Sequence, residues 1–236
     1  MLQFPSAILI TRPEPGASDT ATRVAALGFE PVLSPVLHIQ TMSTALPSEA
    51  KVAAALVTSG NAVDALPPAW RATCLLTVGD ATAARARAAG FRDVRSAGGD
   101  ADALAALVIR ELPAGTGPLL LASGRGQGQA LAATLRRSGY RVIRRVVYAA
   151  LPAPELAPAA VAALRAGQVR AVLFFSAETA RHFVRLVRGA GLVAMLGTVD
   201  AISIGRAAGV ALEAASWRDI RVAARPNQDE MLALLR

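Results

Sequence analysis

Short apolar runs alternate with helix-periodic stretches along almost the whole chain. Ala7-Ile8-Leu9-Ile10 is an unbroken apolar run, the pattern of a strand buried on both faces. Residues 17–27 carry a helical period, and Gly28 stands where a helix stop is wanted. Residues 29–37 predict the next strand, with Pro31 and Pro35 pushing it toward a sheet edge or a connector. Then come a strand over 53–58, a helix over 61–66, a strand over 75–78, a helix over 81–89 stopped by Gly90, a short strand at Val94 and a helix over 101–111. The second half predicts strands over 118–122, 141–149, 171–175, 201–204 and 220–223, and helices over 129–138, 157–166, 179–187, 209–215 and 228–234. Apolar strands alternating with helices imply an α/β protein whose parallel sheets are covered on both faces.

The elements also repeat. Residues 8–37 match 119–148 at an offset of 111, with Leu27-Gly28-Phe29 answered by Ser138-Gly139-Tyr140. Residues 54–63 (AALVTSGNAV) match 171–180 (AVLFFSAETA) at offset 117, and 76–94 match 202–220 at offset 126. Asp100-Ala101-Asp102 is echoed by Asn227-Gln228-Asp229. Three blocks in the same order predict two similar α/β units with a ligand site between them. Two proline-bearing segments, 33–47 and 146–158, follow the same repeat element and read as linkers, so the chain is expected to cross between units twice.

Composition narrows the chemistry. A 53% apolar content marks a globular chain, and 4% aromatics argue against a base-stacking nucleic-acid module. No apolar run nears the roughly 18 residues of a membrane span, and Thr11-Arg12-Pro13 interrupts the first one, so neither a membrane nor a signal peptide is expected. The single cysteine, Cys74, excludes an internal disulfide and reads as a small buried hydrophobe in a reducing cytoplasm. Net charge is +8, and residues 120–188 hold 11 arginines against Glu155 and Glu178 alone. That field favours an anionic partner, a polycarboxylate or phosphate ahead of nucleic acid. A solvated basic face is the plainer explanation of the same run.

In such sheets ligands sit beyond the carboxyl ends of the strands, where helices begin. Ser59, Gly60 and Asn61 form one such turn, with Ser59 as helix cap and free amides behind it. Ser176 and Ala177 are its copy. Gly79, with Thr82 one turn on, forms another; its copy at Gly205 has Ala208 in place of the hydroxyl. A helix cap alone explains each turn taken singly, whereas four on paired units favour a ligand rich in anionic oxygens. The turn through Gly124, Arg125, Gly126, Gln127 and Gly128 has GxGxG spacing, with Arg144 and Arg145 where a ribose-binding acid belongs, which speaks against a dinucleotide site. Arg12 fills the equivalent turn of the first copy and has the fork geometry for a carboxylate. His38 and His182 are too few for a metal centre. Tyr148 ends a strand inside the basic segment, a place for a structural phenol or a proton donor.

Taken together, these pieces resemble the uroporphyrinogen-III synthase family over nearly the whole chain. They are Arg12-Pro13, Leu27-Gly28 leading to Pro35, VTSGNAV at 57–63, VGDATA at 78–83 with Gly90, the glycine-rich turn at 124–128, Val147-Tyr148, FFSAETARHF at 174–183, and Ile204-Gly205. The resemblance implies two flavodoxin-like, doubly wound parallel-sheet domains joined by a two-stranded linker. One domain would hold residues 1–36 and 154–236, the other 42–147, with 37–41 and 148–153 as linkers. It implies a cytoplasmic, monomeric lyase of porphyrin and heme biosynthesis that needs no metal or cofactor. The substrate is hydroxymethylbilane, with a possible hand-over from the preceding enzyme. The enzyme expels the hydroxyl as water, inverts ring D through a spiro intermediate and closes the macrocycle, and a mobile two-domain clamp suits that task. Carried over residue by residue, Tyr148 matches the tyrosine that helps the hydroxyl leave, Thr82 the threonine of the VGxxTA motif, and Ser59 and Ser176 the strand-end serines. Arg12, Gly60, Asn61, Gly79, Gly124, Arg125, Ala177 and Gly205 would complete the substrate-binding set. Ala208 and Ser216 depart from the family's usual threonine and glycine. The rival expectation is a non-catalytic tetrapyrrole- or anion-binding regulatory protein on the same fold, or a small-anion or nucleotide module.

Overall fold

The computed structural model describes residues 6–14 and 16–236, and the chain separates into two compact units. One unit holds the chain up to His38 and Leu151–Arg236; the other holds Ile39–Ala150.

The first unit is built on a five-stranded sheet. Its strands are β1 (Ala7–Ile10), β2 (Glu30–Leu33), β9 (Val169–Phe174), β10 (Asp200–Ser203) and β11 (Asp219–Val222). All pairings are parallel, in the order β11-β10-β9-β1-β2. Numbered within the unit this is 2-1-3-4-5. The helices are α1 (Gly16–Ala26), α6 (Pro158–Arg165), α7 (Ala177–Gly189), α8 (Arg206–Leu212) and α9 (Gln228–Ala233). Ile8, Ile10, Leu173 and Ile202 meet Ala17, Val24, Met231 and Leu232 on one side of the sheet. Phe174, Phe183 and Trp217 form an aromatic cluster, Phe174 edge-on to Phe183 at 5.3 Å between centroids.

The second unit carries β4 (Ala54–Val57), β5 (Leu75–Thr77), β6 (Val94–Ser96), β7 (Leu119–Gly124) and β8 (Val142–Pro152), with β3 (Leu37–Thr41) at one edge. The order is β3-β8-β7-β4-β5-β6. Its parallel core is the first unit's order begun at a different strand: β7 and β8 stand where β1 and β2 do, and β4, β5, β6 where β9, β10, β11 do. The helices are α2 (Gly60–Asp64), α3 (Asp80–Ala88), α4 (Ala101–Glu111) and α5 (Gln129–Arg137). Alternate residues of β7 serve opposite faces. Leu119 and Leu121 pack with Leu104, Val108 and Leu135, while Leu120 and Ala122 pack with Val63, Trp70 and Phe91. Period-two burial on both faces is why these strands read as continuous apolar runs.

Two expectations are corrected. The strand expected over 29–37 is two strands, β2 and β3, parted around Pro35, whose missing N–H cannot continue a ladder. After the break, β3 pairs with β8: Ala153 N–H donates to Val36 O at 2.9 Å and Met42 N–H to Val147 O at 2.9 Å. The helix expected over 209–215 is α8, Arg206–Leu212, beginning three residues earlier. Gly209 and Leu212 are buried on that helix, and Glu213 already closes it. Glycines at the repeat-related helix ends, Gly28 and Gly139, both hold left-handed backbone, at φ 84° and 88°.

Candidate active site

Because the strands that lead into helices run parallel in each sheet, every strand-to-helix turn of a unit opens on the same edge. In the second unit the turns after β5, β4 and β7 belong to adjacent strands, and in the first those after β10, β9 and β1 do. Neighbouring strands lie about 4.8 Å apart, so three turns span about 10 Å. The repeat therefore places Gly79, Ser59 and Gly124 in one row, and Gly205, Ser176 and Arg12 in the matching row of the other unit.

Ser59 and Ser176 are true N-caps: Ser59 Oγ accepts from Asn61 N–H at 3.3 Å, and Ser176 Oγ from Thr179 N–H at 3.1 Å. Ala177 opens α7 directly behind its cap. Gly60 lies under the Arg85 side chain, where an added Cβ would stand 2.6 Å from Arg85 Cδ; Arg85 is also paired with Asp64. Gly79 and Gly205 cap α3 and α8 in extended backbone and bring no capping side chain to their helix amides. An added Cβ at Gly205 would meet nothing within 4 Å. Thr82 stands in the first turn of α3, half-buried, while Ala208 is buried at the matching place in α8. The echo at Asp100 differs, since its own carboxylate takes the amides of Asp102 and Ala103 at 3.0 Å.

Arg12 leaves the end of β1 and lies over the Phe175 ring, 4.2 Å from its centroid. Its Nη1 donates to Thr20 Oγ1 at 3.4 Å and to Gln228 Oε1 at 3.3 Å. A Cβ on Gly16 would run into the guanidinium, so a larger residue there would displace Arg12 from this seat. Three helix-start regions of the first unit thus converge on one cation. Arg125 is exposed; its backbone N–H donates to Tyr148 O at 2.9 Å.

Tyr148 sits on β8 opposite Gly124, just past a register shift in the β7 pairing. It is buried, and its hydroxyl donates to Gln127 Oε1 at 3.0 Å. Side-chain and main-chain bonds thus join Tyr148 to the turn running from Gly124 to Gln127. His182 is a core residue whose Nε2 donates to Ala153 O at 2.8 Å. Burial, then a hydrogen bond to Asp93, pushes the Cys74 thiol up to about 11, which makes it a poor nucleophile. Among the described residues no group of His, Cys, Asp or Glu could hold a metal ion, and no helix is long and apolar enough to cross a membrane.

Several supporting residues lie beyond those predicted from the sequence. Thr77 Oγ1 donates to Gly79 O at 3.2 Å and Ser203 Oγ to Gly205 O at 3.3 Å, bracing the two repeat-related turns identically. These hydroxyls fall at the same 126-residue offset, so the signal was present. Phe175 and Gln228 under and beside Arg12 carry no such local signal.

The fold and these strand ends define an α/β protein built from two repeat-related units, each with a row of adjacent strand-to-helix turns. The comparisons sharpen that class: the family model for uroporphyrinogen-III synthase HemD matches residues 18–233, and the chain belongs to this family of cyclising lyases of heme biosynthesis. Uroporphyrinogen-III synthetase from Helicobacter pylori shares its fold, with a TM-score of 0.64 and 17% identity over 97% of each chain. A mutant uroporphyrinogen III synthase from the extremely thermophilic bacterium Thermus thermophilus gives 0.52 and 22% identity over 97% of this chain and 96% of that one. No curated protein matches the chain.

Proposed function

We propose that this chain converts hydroxymethylbilane to uroporphyrinogen III, expelling the terminal hydroxyl as water and inverting ring D before closure. The observation that carries the reading is the pair of matching rows, Gly79–Ser59–Gly124 and Gly205–Ser176–Arg12, in a chain that belongs to the synthase family. The substrate is a chain of four similar rings with eight carboxylates, and two similar rows of anion-binding turns answer that repetition. Ser59, Gly60, Asn61, Gly79, Gly124, Arg125, Ser176, Ala177, Gly205 and Arg12 take the carboxylates. Backbone N–H groups at helix starts bind anions with little reorganisation.

In this reading each unit is a flavodoxin-like domain, supported by the strand order 2-1-3-4-5. Residues 37–41 and 148–153 serve as the linker, and the domains are 1–36 with 154–236, and 42–147. The protein works as a cytoplasmic monomer and receives its substrate from the enzyme that makes it.

The chemistry needs an acid at the leaving hydroxyl and a scaffold that brings ring D onto its own substituted carbon. Tyr148 is the acid. Thr82, whose hydroxyl has no hydrogen bond to the described residues, orients the leaving oxygen or a neighbouring carboxylate. Turnover of hydroxymethylbilane by the purified chain tests the reading: type III product supports it, and type I product alone sinks it.

A further inference from the structure

The turn beside Tyr148 contains a group that the reaction has not yet used. Gln127 lies between Gly126 and Gly128, both in left-handed backbone at φ 73° and 80°. Its main chain is pinned on two sides: Gln127 N–H donates to Gly124 O at 3.1 Å, and Arg144 Nη1 donates to Gln127 O at 2.9 Å and to Ser123 Oγ at 3.2 Å. Glycine at 124 brings this turn down onto the phenol ring. The backbone is therefore fixed while the exposed Gln127 side chain reaches back to the Tyr148 hydroxyl.

A carboxamide carries an acceptor and two donors on one planar end. In the resting protein the acceptor faces Tyr148 and takes the phenol proton in a hydrogen bond. In that state the phenol proton is held by Gln127. A half-turn of the amide reverses the bond, so that Nε2–H donates to the phenol oxygen and the phenol proton is released toward the leaving group.

We propose that Gln127 is the positioning residue for Tyr148, turning its carboxamide to stabilise the phenolate while the proton leaves. The inference rests on the reading of Tyr148 as the acid. The C–O bond breaks with its electron pair on oxygen, which takes the Tyr148 proton and departs as water. The phenolate accepts from Gln127 Nε2–H, and the proton lost from the ring carbon at macrocycle closure restores the phenol. A hydrogen bond to the charged form of an acid lowers the cost of forming it.

Gln127→Glu separates this role from simple anchoring. A glutamate is nearly isosteric and keeps the acceptor that Tyr148 meets, but it offers no donor and places a negative charge beside the phenolate. We expect kcat to fall about tenfold in Gln127→Ala, the scale of one hydrogen bond, and further in Gln127→Glu, with KM changed less than about twofold. In a Tyr148→Phe background the two substitutions should add no further loss, the mark of residues acting as one unit. A Gln127→Glu enzyme as active as wild type, or more active than Gln127→Ala, overturns the inference while leaving Tyr148 as the acid. Losses that persist undiminished in Tyr148→Phe overturn it as well. Full activity in Tyr148→Phe alone removes the acid reading and the inference with it.

Discussion

Tyr148 crosses Gly124 so closely that a Cβ on Gly124 would stand 2.7 Å from Tyr148 Cζ and 2.9 Å from its hydroxyl oxygen. Gly124→Ala must therefore displace the ring that the mechanism needs. Overpacking of this kind costs about 1–3 kcal/mol, and kcat should fall more than KM rises. Gly205→Ala is the contrast, because a methyl there meets nothing within 4 Å. Its stability should stay within about 0.5 kcal/mol of wild type, while the methyl shields a turn amide and raises KM. Thermal denaturation and steady-state kinetics on both variants check the pair.

Tyr148→Phe removes the acid and one hydrogen bond to an exposed glutamine. The expected loss in kcat is about 100-fold, with a stability cost of about 1 kcal/mol. Equal losses in turnover and in product affinity would instead mark the tyrosine as structural.

Asp200 is a buried carboxylate of the first unit whose titration is linked to stability. Its side chain is 3% exposed, yet Arg218 grips both oxygens at 2.6 Å and Arg221 reaches one at 3.3 Å. Burial is the largest influence and pushes the carboxyl up, but the Arg218 hydrogen bonds and the charges of Arg218, Arg221 and Arg170 together hold it below its ordinary value. A depressed carboxylate contributes stability above its unfolded pKa of about 3.9 and loses it as pH falls through the folded value. Asp200→Asn should cost about 1–3 kcal/mol near neutrality and flatten the loss of stability below about pH 4. Denaturant titrations at several pH values measure both effects.

Cys74, raised to about 11, should resist alkylation by iodoacetamide at about pH 8 in the folded protein and react readily once unfolded. Mass spectrometry of the labelled chain reads the difference. Rapid labelling with loss of activity would contradict its placement as a half-buried bystander.

The parallel architecture was legible because strands such as Leu119–Ala122 are buried on both faces and so must be apolar without interruption. The start of α8 was not, because Arg206-Ala207-Ala208 shows no apolar period and Gly205 gives no capping side chain to announce it. The break at Pro35 was visible as a proline and the 33–47 segment as a crossing between units, but the pairing of β3 with β8 was not, since those partners lie over a hundred residues away. The strand-end turns were legible through duplication: Ser59 with Ser176, Gly79 with Gly205. The contact of Arg12 with Phe175 joins residues distant in sequence, and the reach of Gln127 to Tyr148 depends on how a glycine turn folds. Neither leaves a trace in periodicity or composition.

The central claim is that this chain directs inversion of ring D rather than merely holding a tetrapyrrole. Hydroxymethylbilane at fixed concentration, incubated with increasing amounts of purified protein, tests it through the isomer composition of the product. The account predicts that the type III fraction climbs toward completeness as the protein outpaces spontaneous closure. A product that stays type I at every protein concentration would contradict it.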